Sequence, residues 1–379
     1  MGNMTKISIS KCSSYNIKEI QKAVNNCLES LGGLSNFIKS GDTVLIKPNI
    51  LLAKKPEEAI TTHPAVIEAI IIALKKVGAV PVVGDSPGGL VGHVIKHWKI
   101  TGIEEVCKRH DVEILNFESS GVYEKKLNGN HYHIAKPVLD VDFIINVPKI
   151  KTHGLTTFTC AIKNMYGAVP GLIKVNYHKE APKPSDFSAL VVDIFQLTKP
   201  ALNIVDGVIG MDGAGPSAGN PKELGMILAS ADGVALDSYI CHILGKNPMK
   251  VSTNEIAYKR GLGESNINEM EILGYKPEIR KDFKWPPSMA SSINIIPDFI
   301  VKGLMKFYWS RPKINPELCN DCKSCVKSCP VEALTEGTNI PEFNYPECIN
   351  CLCCMEMCPK KAVHLDKSFI ARLASRENN

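Results

Sequence analysis

The sequence has no uninterrupted apolar segment long enough to cross a membrane. Its longest apolar stretch runs from Val66 to Gly84 and is broken by Lys75 and Lys76, which leaves each side too short for a bilayer-spanning helix. The first ten residues also lack the apolar core of a secretory signal. We therefore expect no membrane span and a cytoplasmic location.

The chain has little excess charge and no nucleotide-binding loop. Its formal net charge is +5 over 379 residues, which is too small to indicate a nucleic acid partner. Gly88-Gly89 fits neither the G-x-G-x-x-G pattern nor a Walker loop. Signatures of flavin, nicotinamide and corrin binding are also missing, so the sequence names no cofactor for the larger part of the chain.

Cysteine is scarce over most of the chain and crowded near its end. Nine of the 14 cysteines lie between Cys319 and Cys358. The other five have no shared spacing: Cys12, Cys27, Cys107, Cys160 and Cys241. A secreted disulfide protein would spread its cysteines through a small, loop-rich chain. The observed crowding indicates a metal centre in a reducing compartment.

The crowded cysteines form an internal repeat with the spacing C-x2-C-x2-C-x3-C, each copy followed by proline. The first copy comprises Cys319, Cys322, Cys325 and Cys329, and the second comprises Cys348, Cys351, Cys354 and Cys358. Two-residue gaps let one tight loop bring three thiolates and several amide N–H groups to one metal centre. Zinc sites are the less favoured alternative, because zinc knuckles use cysteine pairs separated by a longer loop.

This repeat resembles the bacterial two-cluster ferredoxins over residues 312–366. The resemblance implies two 4Fe–4S clusters, with the fourth cysteine of each run binding the other cluster. One cluster would then take Cys319, Cys322, Cys325 and Cys358, and the other Cys348, Cys351, Cys354 and Cys329. Such clusters transfer single electrons, so an external electron donor or acceptor such as a ferredoxin is expected. Cys353 is expected to point elsewhere as a packed free thiol.

Residues 1–285 alternate short apolar runs with helix-length amphipathic segments, which is typical of βαβ units. The predicted strands are Lys6–Ser10, Thr43–Lys47, Val80–Gly84, Val112–Asn116, Phe143–Val147, Leu202–Val205 and Gly225–Ala229. The predicted helices are Ile17–Leu31, Pro64–Val77, Val91–Arg109, Ser185–Leu197 and Ala231–Leu244. A hairpin inserted in the sheet order is predicted over Val122–Val138, with its turn at Gly129.

The predicted fold class is α/β, with a mostly parallel sheet and helices on both faces, plus a small α+β bacterial-ferredoxin-like C-terminal domain. Four segments follow: an α/β substrate-binding domain over 1–285, a linker with an apolar docking helix over 286–311, the two-cluster domain over 312–366 and a tail over 367–379. A membrane or partner surface is the alternative for the apolar part of the linker.

Polar side chains follow several predicted strands, at the edge where open α/β sheets hold their ligands. The candidate substrate-binding residues are Lys47, Asn49, His63, Asp85, Ser86, Lys163 and Asn164. The candidate catalytic residues are Lys149, Lys151 and His153. Clustered cations cost free energy unless an anion or carboxylates compensate them. We therefore predict an anionic small-molecule substrate, such as a carboxylate or phosphate, and a Lys or His that donates a proton.

Simpler interpretations of these residues stay open. The lysines could be solvated surface groups, and Asp85-Ser86-Pro87 could cap a helix. The Gly-rich stretch 210–219 is a loop or a lid. Cys160 is expected to be a core thiol on a helix over Thr157–Ala168, ahead of a nucleophile or metal ligand.

Four strings resemble the family catalogued as domain of unknown function 362: Val44–Ile50, Val83–Gly88, Asn146–Gly154 and Ala161–Gly167. The resemblance covers residues 40–245 and implies an iron–sulfur protein of unassigned reaction. The string Lys-x-Lys-Thr-His-Gly is also similar to the nickel-pincer lactate racemase family, but too few ligands match for that cofactor to be expected.

Three functional hypotheses follow. The favoured one is an oxidoreductase of unassigned reaction, in which the ferredoxin module feeds electrons to the anionic substrate. The second is a non-enzymatic electron carrier or assembly protein, which would leave the candidate residues dispersed over the surface. The third is a non-redox isomerase or transferase whose clusters are structural.

Overall fold

The computed structural model describes residues 4–88, 94–286 and 310–368. Its α-helices are α1 (Ile17–Ser30), α2 (Pro64–Lys76), α3 (Val94–Ile100), α4 (Ile103–Arg109), α5 (Lys136–Leu139), α6 (Ala161–Asn164), α7 (Gly171–Glu180), α8 (Pro184–Thr198), α9 (Gly233–Ile243), α10 (Ser252–Lys259), α11 (Ser324–Lys327) and α12 (Cys353–Glu356). None of the helices in these segments combines the length and apolar character needed to cross a bilayer.

The strands fall into one large sheet and three two-stranded sheets. They are β1 (Thr5–Lys11), β2 (Thr43–Pro48), β3 (Val80–Asp85), β4 (Glu113–Asn116), β5 (Val122–Leu127), β6 (Asn130–Ala135), β7 (Phe143–Val147), β8 (Lys149–His153), β9 (Thr157–Thr159), β10 (Leu202–Asp212), β11 (Asn220–Ser230), β12 (Met270–Gly274), β13 (Ser310–Ile314), β14 (Leu334–Thr335), β15 (Glu342–Phe343) and β16 (Val363–Lys367).

The large sheet has the order β12-β1-β11-β10-β7-β2-β3-β4, and β8 pairs with β10 and with β9. The pairs of β12 with β1, β10 with β7, β7 with β2, β2 with β3 and β3 with β4 are parallel. Strand β11 runs antiparallel to both of its neighbours. The predicted α/β class with a mostly parallel sheet is therefore confirmed.

Both faces of this sheet are covered by helices because its strands are apolar on both sides. In β2, Val44 and Ile46 belong to the apolar core that contains residues of α1 and α2, whereas Leu45 belongs to the core on the opposite face with residues of α8. Alternation of this kind follows from the two-residue period of a strand. A continuous Val/Ile/Leu run is thus the expected sequence of a strand buried on both faces.

Besides elements that were not predicted, such as β8, and strands longer than predicted, such as β10 and β11, three predicted elements differ in the structure. The hairpin over Val122–Val138 exists as β5 and β6, but it forms a sheet of its own and does not join the large one. The segment predicted as a helix over Thr157–Ala168 begins as strand β9 and becomes helical only at Ala161. The predicted helix Val91–Arg109 is divided into α3 and α4, and its residues 91–93 lie outside the described segments.

Two further predictions fall largely outside the described residues. The apolar docking helix of the linker lies within 287–309, and nearly all of the tail lies within 369–379.

The two sequence copies of the cysteine-rich region have similar backbone conformations. Helix α11 in the first copy corresponds to α12 in the second. Residues at equivalent places in the two copies adopt positive φ, namely Asp321 and Asn350, Lys323 and Leu352, and Glu332 and Lys361. Two short antiparallel pairs, β13–β16 and β14–β15, complete this part of the chain. The two copies therefore wrap their cysteines with the same backbone turns.

Candidate functional site

Strand β8 carries the three candidate catalytic residues on one face. Lys149, Lys151 and His153 alternate with Ile150 and Thr152, so the two-residue period of the strand places their side chains on the same side. All five residues are buried. The interpretation of these lysines as solvated surface groups is therefore wrong.

Lys47 and Asp85 form a buried ion pair at the ends of two adjacent strands. The Lys47 ammonium donates to Oδ1 of Asp85 at 2.7 Å, and both side chains are 2% exposed or less. Oδ2 of Asp85 accepts from the backbone N–H of Ile50 at 2.8 Å. Gly167 lies against this pair, since a Cβ there would come within 2.6 Å of the Lys47 ammonium. The pair is thus enclosed and electrically compensated.

Lys149 of β8 is compensated in the same way, by a carboxylate on the neighbouring strand β10. Its ammonium donates to Asp206 at 2.8 Å and to the Tyr15 hydroxyl at 2.6 Å. Asp206 also accepts from the backbone N–H of His63 at 2.9 Å. The His63 ring stacks on Tyr15 with centroids 3.7 Å apart, and burial lowers the pKa of His63 to about 4. His63 is therefore a neutral packing and capping residue in this arrangement.

Among the residues that the structure describes, no carboxylate bonds to the ammonium of Lys151. It donates to Oδ1 of Asn49 at 2.6 Å and to the carbonyl of Ile60 at 2.8 Å. Asn49 in turn donates to Oδ1 of Asn164 at 2.9 Å. Burial, followed by the charges of Lys163 and other cations, lowers the pKa of Lys151 to about 7. This lysine can therefore gain or lose a proton near neutral pH.

Ser86 links the Lys47–Asp85 pair to α7, and its backbone N–H donates to Oδ1 of Asp85 at 3.0 Å. Its hydroxyl is bonded to Glu118 and accepts from the ammonium of Lys174 at 2.8 Å. Lys174 also donates to the Pro87 carbonyl at 3.2 Å, and burial lowers its pKa to about 8. Ser86 therefore anchors α7, and the candidate residues do not converge on one centre.

His153 faces the cysteine-rich region. Its Nδ1 accepts from the backbone N–H groups of Leu155 and Thr156 at 3.1 and 3.3 Å. Nδ1 is therefore unprotonated, and the proton of the neutral ring lies on Nε2. Nε2 is 3.2 Å from Oε1 of Glu356, although the geometry leaves this buried oxygen without a hydrogen bond among the described residues. Burial lowers the pKa of His153 well below its usual value, so the ring is neutral.

Lys163 is held by aromatic rings. Its ammonium lies 5.0 Å from the ring centre of Tyr166 and 5.5 Å from that of Phe187. His178 stacks on Phe187 at 4.2 Å and meets Tyr166 edge-on at 6.0 Å. Burial lowers the pKa of Lys163, and the charge of the Glu356 carboxylate opposes this shift. Within the described segments its ammonium makes no hydrogen bond, and it lies over these rings instead.

Helix α12 docks against this polar edge of the large sheet. Leu352 lies directly over Gly154, where a Cβ would come within 2.7 Å of it, and the carbonyl of Met355 accepts from Ser217 at 3.4 Å. Met357 packs with Leu51 beside the small apolar cluster of Leu52, Ile60 and Met211. The second cysteine repeat therefore sits at the carboxyl ends of the strands.

The two copies of the repeat differ in the side chains around their helices. The first copy has Lys323-Ser-Cys-Val-Lys-Ser328, whereas the second has Leu352-Cys-Cys-Met-Glu-Met357 at the same places. Lys327 is exposed in the first copy, while its counterpart Glu356 faces the cations of the large sheet. The second helix is thus adapted to docking by apolar contacts and by its negative charge.

The ligand cysteines line two cavities. The first is lined by Cys319, Cys322, Cys325 and Cys358, and the second by Cys329, Cys348, Cys351 and Cys354. Each cavity thus takes its fourth cysteine from the other repeat. In each repeat this fourth sulfur accepts a backbone N–H, from Ala333 at 3.2 Å and from Ala362 at 3.1 Å.

The donor set of each cavity suits an iron–sulfur cluster. Each has four cysteines, and a backbone N–H is directed at the fourth sulfur of each repeat. Four thiolates with amides directed at sulfur are the ligand set of a 4Fe–4S cluster.

Cys353 does not point away from the second cavity as expected, because it helps to line it. The pKa of Cys351 is lowered first by a hydrogen bond with the Cys353 thiol. The equivalent residue of the first repeat, Ser324, lies 3.4 Å from the sulfur of Cys322. The position is therefore one whose side chain contacts a ligand sulfur in both repeats.

Cys160 caps the start of α6 and is fully buried. Asp237 accepts the backbone N–H groups of Ala161 and Ile162 at 2.6 and 3.0 Å, and burial raises its pKa to about 7. Burial also raises the pKa of Cys160 well above its usual value. An inert core thiol accounts for these observations.

Several residues of this region were not identified from the sequence: Tyr15, Glu118, Lys174, His178, Asp206 and Glu356. Asp206 follows a predicted strand, so its position at the sheet edge contained a usable signal. Glu356 could have been found by comparing the two repeats, where it replaces the exposed Lys327. Lys174 and His178 lie on α7, whose sequence gives no amphipathic pattern.

Family comparisons agree with this description of an α/β domain joined to an iron–sulfur dicluster module. Residues 311–359 match the model described as a 4Fe-4S dicluster domain. Residues 44–242, which are more than half of the chain, match the model described as domain of unknown function (DUF362). The chain belongs to the DUF362 family, and the resemblance predicted from its sequence strings is confirmed.

Known proteins resemble the chain over more than half of its length. The thylakoid-associated protein sll1697 of Synechocystis sp. (strain ATCC 27184 / PCC 6803 / Kazusa) is 31% identical over 307 residues, covering 80% of this chain and 95% of that protein. The lactate racemase apoprotein from Thermoanaerobacterium thermosaccharolyticum is 12% identical with a TM-score of 0.44, and the match covers 65% of this chain and 58% of that one. The latter likeness is too low to support a functional inference.

Proposed function

We propose that this iron–sulfur protein is a ferredoxin-linked oxidoreductase that passes electrons through two 4Fe–4S clusters to an anionic small molecule at the carboxyl edge of the large sheet. The observation that carries the proposal is the docking of α12. This helix follows Cys351, contains Cys354, and brings Glu356 to 3.2 Å from His153. A cluster in the second cavity would therefore border the polar edge of the sheet.

The two cavities supply the residues that would hold the clusters. Cys319, Cys322, Cys325 and Cys358 would hold the first, and Cys329, Cys348, Cys351 and Cys354 the second. When bound, clusters of this type supply single electrons. Cys322 is exposed in the first set, which suits exchange of electrons with an external ferredoxin-type partner. None of the 14 cysteines, all of which lie in the described segments, forms a disulfide, which suits the reducing conditions of the cytoplasm.

The candidate lysines would have different roles: one would bind the anionic substrate, one would donate a proton, and two would be structural. Lys163 is the cation that a carboxylate or phosphate would meet, because its ammonium has no hydrogen-bonding partner in the described segments. Lys151 is the proposed proton donor, since its pKa of about 7 suits proton transfer at neutral pH. Lys47 and Lys149 are already paired with Asp85 and Asp206, so we assign them to holding the strand ends in place.

The alternatives receive less support from the same geometry. A carrier or assembly protein predicts candidate residues dispersed over the surface, whereas most of these are buried. A non-redox isomerase or transferase with structural clusters needs no electron path between the cysteine repeat and the sheet edge. It would also remain active with clusters that cannot be reduced.

The test uses the anaerobically purified full chain, reduced with dithionite and mixed with a panel of small carboxylates and phosphates. Reoxidation of the clusters is followed by absorbance and by EPR. At least one anion should reoxidise the wild-type protein well above the rate in buffer. Lys151→Met should remain reducible but lose this reaction, whereas Lys259→Met, at a side chain 65% exposed, should retain it.

A different result would overturn the proposal. If every anion fails while an oxidised ferredoxin accepts the electrons, the protein is a carrier. If Lys151→Met reoxidises at the wild-type rate, Lys151 is not the proton donor.

A further inference from the structure

The first residue of the helix in each cysteine repeat lies against a cavity lined by ligand cysteines. Ser324 begins α11 and lines the first cavity, and Cys353 begins α12 and lines the second. The residue before each of them has a positive φ, 57° at Lys323 and 62° at Leu352. The same backbone turn therefore brings a hydroxyl to one cavity and a thiol to the other.

The Ser324 hydroxyl contacts a ligand sulfur. Its oxygen lies 3.4 Å from Sγ of Cys322, which is within hydrogen-bonding distance for a contact with sulfur. A free thiol can donate in such a contact, whereas a thiolate bound to iron carries no hydrogen and can only accept. When a cluster occupies the first cavity, the hydrogen of this contact therefore has to come from Ser324.

Hydrogen bonds to the sulfurs are one of the means by which a protein sets the reduction potential of a cluster. Reduction adds one negative charge, part of which resides on the ligand sulfurs. A donor bonded to such a sulfur therefore stabilises the reduced form more than the oxidised form. A hydroxyl is a stronger donor than a thiol, whose S–H donates only weakly. Ser324 should thus affect its cluster more than Cys353 affects the other.

We propose that the Ser324 hydroxyl donates a hydrogen bond to the sulfur of Cys322 and thereby raises the reduction potential of the cluster in the first cavity. Ser324 is a positioning residue, because it acts on the cluster through its ligand. Cys322 is exposed, so the first cluster is the one that an external donor would reach, and a higher potential favours its reduction. The inference rests on the two-cluster part of the proposed function but on no substrate, because potentials are measured without one.

The test is an EPR-monitored redox titration of the anaerobic full-length protein at constant pH. Ser324→Ala should lower the equilibrium constant for reduction of the first cluster about fivefold, which corresponds to about 40 mV for a one-electron couple. Ser324→Thr keeps a hydroxyl at this position and should retain the wild-type potential. The second cluster should keep its potential in both variants.

The second repeat provides the reciprocal experiment. Cys353→Ser replaces the weak donor by a hydroxyl and should raise the potential of the second cluster by a similar amount, with the first cluster unchanged. Cys348→Ala, which removes a ligand of the second set, identifies the signal of that cluster. Ser328→Ala is the matched control, because the Ser328 hydroxyl donates to the carbonyl of Cys325 at 3.2 Å and not to a sulfur. It should leave both potentials unchanged.

The proposal is overturned if the first cluster keeps its potential in Ser324→Ala, or if Ser328→Ala lowers that potential equally. In the first case the hydroxyl does not act on the cluster, and in the second the change comes from the helix and not from the bond to sulfur. Should Ser324→Ala fail to hold the first cluster, Cys353→Ser decides, and an unchanged second potential overturns the proposal. Failure of all anions to reoxidise the protein would leave these potentials untouched, so the two proposals fail separately.

Discussion

Nε2 of His153 lies 3.2 Å from Oε1 of Glu356, and this contact joins the large sheet to α12, the helix that contains Cys354. Glu356 is 13% exposed, and its raised pKa, which burial causes, is opposed by the charges of Lys163 and Lys151. The carboxylate therefore offsets part of the positive charge at the sheet edge. Glu356 itself belongs to the cysteine-rich module and not to the large sheet.

Glu356→Gln should weaken the docking of this module. Removing one partner of a buried charged contact costs about 1–3 kcal/mol, because Lys151 and Lys163 then lack their shared counter-charge. The expected result is an earlier thermal loss of cluster absorbance under argon. Glu347→Gln, at an exposed position of the same module, is the matched control, and an equal shift in both variants would contradict this role.

The Lys47–Asp85 pair should be important for the stability of the α/β domain. Lys47→Met leaves a buried carboxylate without its cation, which costs about 3–5 kcal/mol. The double variant Lys47→Met/Asp85→Asn should recover part of this loss, since the amide oxygen introduced at position 85 would still accept from the backbone N–H of Ile50. Far-UV circular dichroism during heating measures both effects.

A surface pair provides the comparison for this experiment. Lys259 and Glu255 are 65% and 38% exposed, so Lys259→Met should change stability by less than about 1 kcal/mol. If Lys47→Met lowered the stability no more than Lys259→Met does, the buried pair would contribute little to the stability of the fold.

Strands buried on both faces were predictable, whereas the polar strand β8 was not. Phe143–Val147 has the predicted bounds because a continuous apolar run has few alternatives to a buried strand. Lys149-Ile-Lys-Thr-His153 alternates polar and apolar residues, and its polar side chains are buried by partners far along the chain. Asp206, for example, is 57 residues from Lys149, so no local sequence pattern predicts that these two residues form a pair.

The cysteine repeat was informative because its chemistry restricts the spacing of its residues. The same repeat also held an unused signal for docking, since Lys323 and Lys327 are replaced by Leu352 and Glu356 in the second copy. Such a change from polar to apolar residues on one copy indicates that this copy is covered. What covers it could not be inferred, because the contacting residues, such as Gly154 and Ser217, are distant in sequence.

Lys151 should make the stability of the protein depend on pH. Its pKa is about 7 in the folded chain, compared with about 10.4 for an unperturbed lysine. Between these two values the unfolded chain binds more protons than the folded chain, so stability rises with pH across this window and the cost of burying the charge is fully present below pH 7. Lys151→Met should flatten this rise by an amount on the order of a few kcal/mol.

The measurement is the thermal midpoint at pH 7, 8, 9 and 10 under argon. Lys259→Met serves as the control and should follow the wild-type slope. Parallel curves for wild type and Lys151→Met would mean that Lys151 keeps an ordinary pKa in the folded protein.

The crossed arrangement of cysteines makes a prediction that separates it from two independent sites. Cys329 belongs to the first sequence run but lines the second cavity, and Cys358 belongs to the second run but lines the first. Cys329→Ala should therefore abolish the EPR signal that Cys348→Ala also abolishes. Cys358→Ala should abolish the signal lost in Cys319→Ala. Each variant should fall from about eight irons per chain to about four, since each cubane contains four irons.

Cys353→Ala is the control for this series, because Cys353 lines the second cavity without belonging to either set of four. It should retain about eight irons and both signals. Loss of the cluster of its own run in Cys329→Ala would contradict the crossed arrangement. Near-stoichiometric zinc with little iron in the wild type would contradict the clusters themselves, since the cavities would then have to contract around single ions.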